Sequence, residues 1–210
     1  MEIVVLSGAS TANPITIRAN THMLRYATAK FWRLGGCADQ RGKVLHDDSL
    51  SHAVLMPGFI ESHANMMAGA MWQYAYVGDQ HAALTIGEDH AQRMDGCRSA
   101  LDAGVNIAIH SDAPVTPMGP LFTAWCAVNR RTMSGRVLGE AQCIEAEEAL
   151  FAITMGAAYK LKLDNEIGSI ETGKLADFAV LDEAPLSVDQ MEIKDIKVLG
   201  TVFGGRVHLL

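Results

Sequence analysis

The sequence lacks the features that mark membrane, secreted or nucleic-acid-binding chains. No run approaches the roughly 20 consecutive apolar residues of a membrane span. The opening Met1-Glu2-Ile3-Val4-Val5-Leu6-Ser7 places an acid where a signal peptide needs positive charge, and its apolar stretch is too short. The expectation is a cytoplasmic protein with no membrane partner. Basic residues are in the minority, 17 Lys and Arg against 24 Asp and Glu for a formal charge of −7, and no segment gathers them into a stripe. That argues against nucleic acid as a partner. Cysteine is sparse: Cys37, Cys97, Cys126 and Cys143 form no CxxC pair, which removes a zinc ribbon and leaves four thiols that read as reduced. There is no internal repeat and no low-complexity segment. The glycines between Gly168 and Gly173, and Gly204-Gly205, lack the strand-to-helix setting of a phosphate loop.

What is present is apolar residue in ordinary globular proportion. With 210 residues, 49% of them hydrophobic, the chain is long enough for one good core or two small ones. Ile3 to Leu6 and Ile15-Thr16-Ile17 read as a first pair of short strands, with the turn signal Asn13-Pro14 between them. The spacing from Met23 to Leu34 predicts a helix, followed by a loop-like stretch to Asp48. Ala53-Val54-Leu55-Met56 is an apolar strand stopped by Pro57-Gly58, after which Phe59-Ile60 leads into Glu61, Ser62, His63 and Asn65.

A helical pattern then runs from Glu88 to Leu101 and closes at Ala103-Gly104, with Gly104 suited to the left-handed position after a helix. Val105 to Ile109 reads as a buried strand carrying His110-Ser111-Asp112 at its end. Helix, glycine, strand and polar cluster in that order describe a parallel α/β unit. Further helices are predicted over Leu121–Arg131 and Glu145–Ala158, the latter with acids in its first turn. Phe178 to Leu181 and Val198 to Val207 are strands, the second broken at Gly204-Gly205 into a hairpin.

Three stretches together resemble the metal-dependent amidohydrolase superfamily, in particular its N-substituted formamide deformylase-like group. They are Val54-Leu55-Met56-Pro57-Gly58-Phe59-Ile60-Glu61-Ser62-His63, Ile109-His110-Ser111-Asp112-Ala113-Pro114-Val115-Thr116, and Ile167-Gly168-Ser169-Ile170-Glu171-Thr172-Gly173-Lys174-Leu175-Ala176-Asp177-Phe178. The resemblance implies a (β/α) TIM-type barrel holding one or two divalent metals, zinc by preference, on histidines after the first strand and an aspartate after the last. Carried over, His63 takes the place of the first histidine and Asp112 that of the aspartate. Asn65 stands where the second histidine belongs, a weaker ligand than imidazole. His110 and His81 fall where side chains line a substrate pocket. Asp112 is also the carboxylate that would take a proton from the attacking water.

A full barrel takes roughly 250 residues, and His63 and Asp112 stand too close along the chain for six further strands between them. The expected fold is therefore α/β: an incomplete barrel over 57–165, its first strand joined to its last helix and strand near 77–80, with a small β-domain from 1–56 and 166–210. Two functions follow from the resemblance. One is metal-dependent hydrolysis of a non-peptide C–N bond in a small amide or formamide. The other is a catalytically silent remnant that binds or oligomerises, because a partial barrel leaves strand edges and apolar faces open; a homo-oligomer is expected.

Each site residue also has a structural reading. His63 can cap a strand end against the backbone, and Asp112 can cap the loop or helix that follows. Arg130 and Arg131 can hold a substrate carboxylate or serve a helix end and solvent. Cys126 lies on an apolar helix face and is expected to be buried and inert.

Overall fold

The computed structural model describes residues 2–6, 10–11, 24–27, 30–34, 43–47, 53–61, 79, 81–113 and 118–210, with residues 2–47 and 81 described through the backbone. The chain divides into two compact units, one of Met1–Phe59, Leu161–Val188 and Asp195–Leu210, the other of Ile60–Lys160 and Asp189–Lys194.

In the first unit, strands β1 (Glu2–Leu6), β2 (Ser10–Thr11), β3 (Leu24–Ala27), β4 (Lys30–Leu34) and β5 (Lys43–Asp47) precede β6 (Val54–Pro57), β7 (Phe178–Leu181), β8 (Val198–Phe203) and β9 (Arg206–Leu209). They make a four-stranded sheet in the order β4-β3-β1-β5 and a five-stranded sheet in the order β2-β6-β7-β8-β9. The helix expected over Met23–Leu34 is instead the antiparallel pair β3 and β4, with Leu24 opposite Leu34. Tyr26, Phe31 and Trp32 belong to the aromatic types that suit a pleated surface, and there they outweigh a loose helical spacing. The expected strand at Ile15–Ile17 lies outside the described residues.

The five-stranded sheet draws on segments far apart in sequence. β6 runs antiparallel to β7, from Val54 opposite Leu181 to Pro57 opposite Phe178, and every residue of both strands is buried. Pro57 donates no hydrogen bond, so it falls at the end of its strand, and the Gly58 N–H takes up the pairing at Asp177 O, 3.0 Å away. Leu55, Phe178, Val180, Val202, Ile170 and Ala176 form the core of this unit. Each large side chain so buried contributes about 1.5–3 kcal/mol. β8 and β9 meet across Gly204-Gly205, both at positive φ (54° and 79°), the conformation a two-residue hairpin turn of matching twist requires. The Asp177 carboxylate fastens that turn by accepting the Gly204 N–H at 2.6 Å.

The described part of the second unit holds helices at Glu88–Ala91, Cys97–Asp102, Pro120–Asn129, Ala146–Ala152 and Met155–Lys160, joined by irregular segments. The helix expected from Glu88 to Leu101 is two short ones, divided where Asp95 adopts a left-handed φ of 49°. Gly104, at φ 74°, closes the second, and the Val105 N–H returns to Ala100 O. Pro120 opens the next helix, where its missing N–H costs nothing. Leu121, Ala124, Trp125 and Val128 make its buried stripe. Glu145 and Glu148 form a reciprocal capping box at the start of Ala146–Ala152. The single helix expected over Glu145–Ala158 is interrupted at Ile153-Thr154, where the buried Thr154 hydroxyl donates to Leu150 O at 2.7 Å.

Val105 to Ile109 was expected as a strand, yet no strand is found among the described residues of this unit. A strand needs a neighbour to complete its ladder, and here the Ile109 N–H goes to the end of a helix at Ala152 O, 3.4 Å away. No helix among the described residues is long and apolar enough to cross a membrane.

Candidate functional site

Two segments distant in sequence are fastened to one helix end. The last carbonyls of a helix have no partner within it. Beyond Ala146–Ala152 they accept from outside: Ala152 O from the Ile109 N–H, and Ile153 O from the Ile60 N–H at 3.0 Å. Consecutive acceptors bring the residues that follow, Glu61 and His110-Ser111-Asp112, side by side.

The contact between them is polar and close. The Glu61 carboxylate accepts the Ser111 hydroxyl at 2.6 Å on Oε2, and the Ser111 backbone N–H at 3.1 Å and 3.3 Å on its two oxygens. Glu61 is 13% exposed in its side chain and Ser111 is buried, so little water competes for these bonds. Asp112 follows at φ 51°, a left-handed conformation that a non-glycine residue adopts at a cost. Its N–H donates to His110 Nδ1 at 2.9 Å. A nitrogen that accepts this bond carries no proton, so in this arrangement the imidazole holds its proton on Nε2. Glu61 Oε1 lies 3.9 Å from that same Nδ1, too far for a hydrogen bond.

His110 and Asp112 line a cavity of about 640 Å³, whose described lining residues all belong to the second unit and also include Asp95, Phe122, Cys97 and Cys126. This size suits a small-molecule site. The sequence suggested a strand carrying His110 and Asp112 at its end; the turn at Asp112 replaces that geometry and ties the two through backbone and ring instead. Burial pushes the Cys126 thiol up to about 11 and raises the Cys97 thiol as well. Neither is poised as a nucleophile. Arg130, considered for a substrate carboxylate, donates to three backbone carbonyls: Met94 O at 2.6 Å, Leu138 O at 2.7 Å and Asp95 O at 3.0 Å. Those bonds hold one rim of the cavity.

His63 and Asn65 lie outside the described residues, and His81 opens a helical turn, His81–Thr85, described through its backbone alone. Among the described residues no three His, Cys, Asp or Glu side chains gather closely enough to hold a metal. Sequence reasoning missed Glu61 and Ser111 as a pair. The one available signal was a carboxylate two residues before His63 and a serine between His110 and Asp112, which gives no hint that they meet.

The chain matches the profile described as the amidohydrolase family over residues 69–208. It is 39% identical to N-substituted formamide deformylase of Arthrobacter pascens over 108 residues, which cover 51% of this chain and 20% of that protein. It is 35% identical to the protein LONG AFTER FAR-RED 3 of Arabidopsis thaliana over 177 residues, covering 81% of this chain and 29% of that one. The chain therefore spans less than a third of the length of either relative. Among solved structures, an amidohydrolase from Thermotoga maritima superposes with a TM-score of 0.64 at 12% identity, over 97% of this chain and 99% of that one. At that identity the likeness establishes shared fold alone.

Proposed function

The chain belongs to the amidohydrolase family, and on that premise we propose that it hydrolyses a non-peptide C–N bond, of amide or formamide type, in a small molecule. The observation that carries the reading is Asp112 on the wall of the cavity, directly after the turn held by Glu61. A carboxylate there can take the proton of an attacking water. The cavity's apolar lining, with Phe122 and Cys126, suits the body of a small organic amide, and its polar lining includes His110, Ser111 and Asp112.

The reading includes a divalent metal, zinc by preference, with His63, Asp112 and more weakly Asn65 as ligands. Asp112 is the described member of that set, and the described residues do not by themselves complete a metal site. Elemental analysis of the purified protein tests this together with hydrolysis of formylated and acylated amines. Stoichiometric metal that is lost on His63→Ala, with turnover lost on Asp112→Asn, is the expected result. Trace metal and background hydrolysis would sink the reading.

A second reading is favoured by the chain spanning less than a third of its curated relatives. It is a catalytically silent form with the architecture of an incomplete barrel, which persists as a homo-oligomer or binding module. Exposed apolar side chains, among them Val105 at 53% and Met118 at 65%, suit such a role. Sedimentation separates the two: a monomer with turnover excludes the second reading. A cytoplasmic location belongs to both.

A further inference from the structure

Glu61 is a nearly buried carboxylate with no part in the reaction proposed above, and its hydrogen bonds go to one residue, Ser111, between His110 and Asp112. Both oxygens point at Ser111, which offers its N–H and its hydroxyl together, a two-point clamp across segments fifty positions apart in sequence. Ser111 sits between His110 and Asp112, and all three line the cavity. Its position therefore governs where His110 and Asp112 emerge.

We propose that Glu61 is a positioning residue for Asp112, acting through Ser111 to hold the His110–Asp112 turn in the conformation that presents the Asp112 carboxylate to the cavity. Three features support it. The turn is locally unfavourable, because Asp112 sits at φ 51° without being glycine, so something outside it must hold it there. The clamp is charge-assisted and screened from water, the setting in which a hydrogen bond holds geometry best. Glu61 is itself anchored, since the adjoining Ile60 N–H is bonded to Ile153 O on the same helix end that receives Ile109. The link from Asp112 N–H to His110 Nδ1 passes the constraint to the ring, so one carboxylate sets both cavity side chains.

The inference rests on the reading of Asp112 as the site carboxylate, and its test has one arm that does not depend on that reading. Glu61→Gln keeps the shape but places an amide NH₂ against one of two donors on Ser111, and Glu61→Ala removes both acceptors. In ¹⁵N-labelled protein, the Asp112 three-bond HN–Hα coupling should move away from its left-handed value, and the Ser111 amide should exchange faster, in the order wild type, Gln, Ala. In the assay with a formylated amine, kcat should fall by roughly 10–100-fold, the usual scale for losing a supporting partner of a site residue, with KM nearly unchanged. Ser111→Ala, which keeps the N–H and loses the hydroxyl, should fall between. A wild-type protein without turnover defeats the functional reading alone; the coupling and exchange measurements then decide this one. An Asp112 coupling and Ser111 protection equal to wild type in both Glu61 variants would overturn it. So would a loss confined to KM. If Glu61→Ala fails to fold, Glu61→Gln carries the same comparison.

Discussion

A side chain on Gly156 would begin where the carbonyl oxygen of Ile107 already sits. The buried Gly156 thus lets the extended segment leading to His110 pass against the helix Met155–Lys160. Alanine would gain about 1 kcal/mol of helix propensity at this position. It would also meet backbone, which cannot rotate aside as a side chain can. Gly156→Ala is expected to lower stability by a net of about 1–3 kcal/mol by urea denaturation. A stability equal to or above wild type would show that the segment moves freely.

Arg130 and Arg131 adjoin in sequence and should differ sharply on substitution. The Arg130 guanidinium serves three carbonyls, on Met94, Asp95 and Leu138, while Arg131 bonds the exposed Gly135 O. Arg130→Met should cost about 2–3 kcal/mol, since hydrogen bonds from charged donors are lost and carbonyls are left without their partner. Arg131→Met should stay within about 0.5 kcal/mol, as for most surface changes. Equal effects would contradict the assigned roles.

In the turn-rich ribbon before β7, the Ser169 hydroxyl, followed by the Lys174 ammonium, holds the Glu171 carboxyl below the usual range. A carboxyl whose pKa is depressed by folding adds stability above its unfolded pKa and loses it as pH falls through the folded one. Wild type should therefore exceed Glu171→Gln in stability at neutral pH, and the gap should close on acidification below the ordinary glutamate range. Chemical denaturation at a series of pH values reads this directly. A gap that widens toward acid would reverse the sign and refute the assignment.

Cys126 should be slow to alkylate. With its thiol at about 11 through burial, the thiolate fraction at pH 8 is roughly two orders of magnitude below that of a free cysteine. Iodoacetamide labelling followed by peptide mass spectrometry should show Cys126 unmodified in the native protein and fully modified after unfolding. Labelling at the free-thiol rate would show that the cavity wall opens readily.

How much of this was legible in the sequence depends on how local each determinant is. β6, β7 and the β8–β9 hairpin follow from Ala53-Val54-Leu55-Met56, Phe178 to Leu181 and Gly204-Gly205, where composition and turn chemistry agree. The helix Pro120–Asn129 follows from its proline and its apolar stripe. Met23–Leu34 misled because a handful of aromatic and aliphatic residues fits either period over so short a stretch. Val105–Ile109 misled on both counts: the apolar run suggested a buried strand, whereas Val105 is exposed, Ile107 to Ile109 are half-buried and no strand forms there, because a ladder depends on what lies alongside. At the site, His110 and Asp112 could be named from their motif. The Glu61 clamp could not, since it depends on two amides finding adjacent carbonyls of one helix end.

The pairing of β6 with β7 bears on the order in which the protein can be made. Val54 emerges from the ribosome long before Leu181, its partner, so the central ladder of the first unit must wait until more than a hundred further residues have been synthesised. Such late closure slows folding and leaves an apolar strand waiting for its mate. The intervening Ile60–Lys160 stretch is contiguous and forms most of the second unit, so it is synthesised in full before the later strand of that ladder emerges.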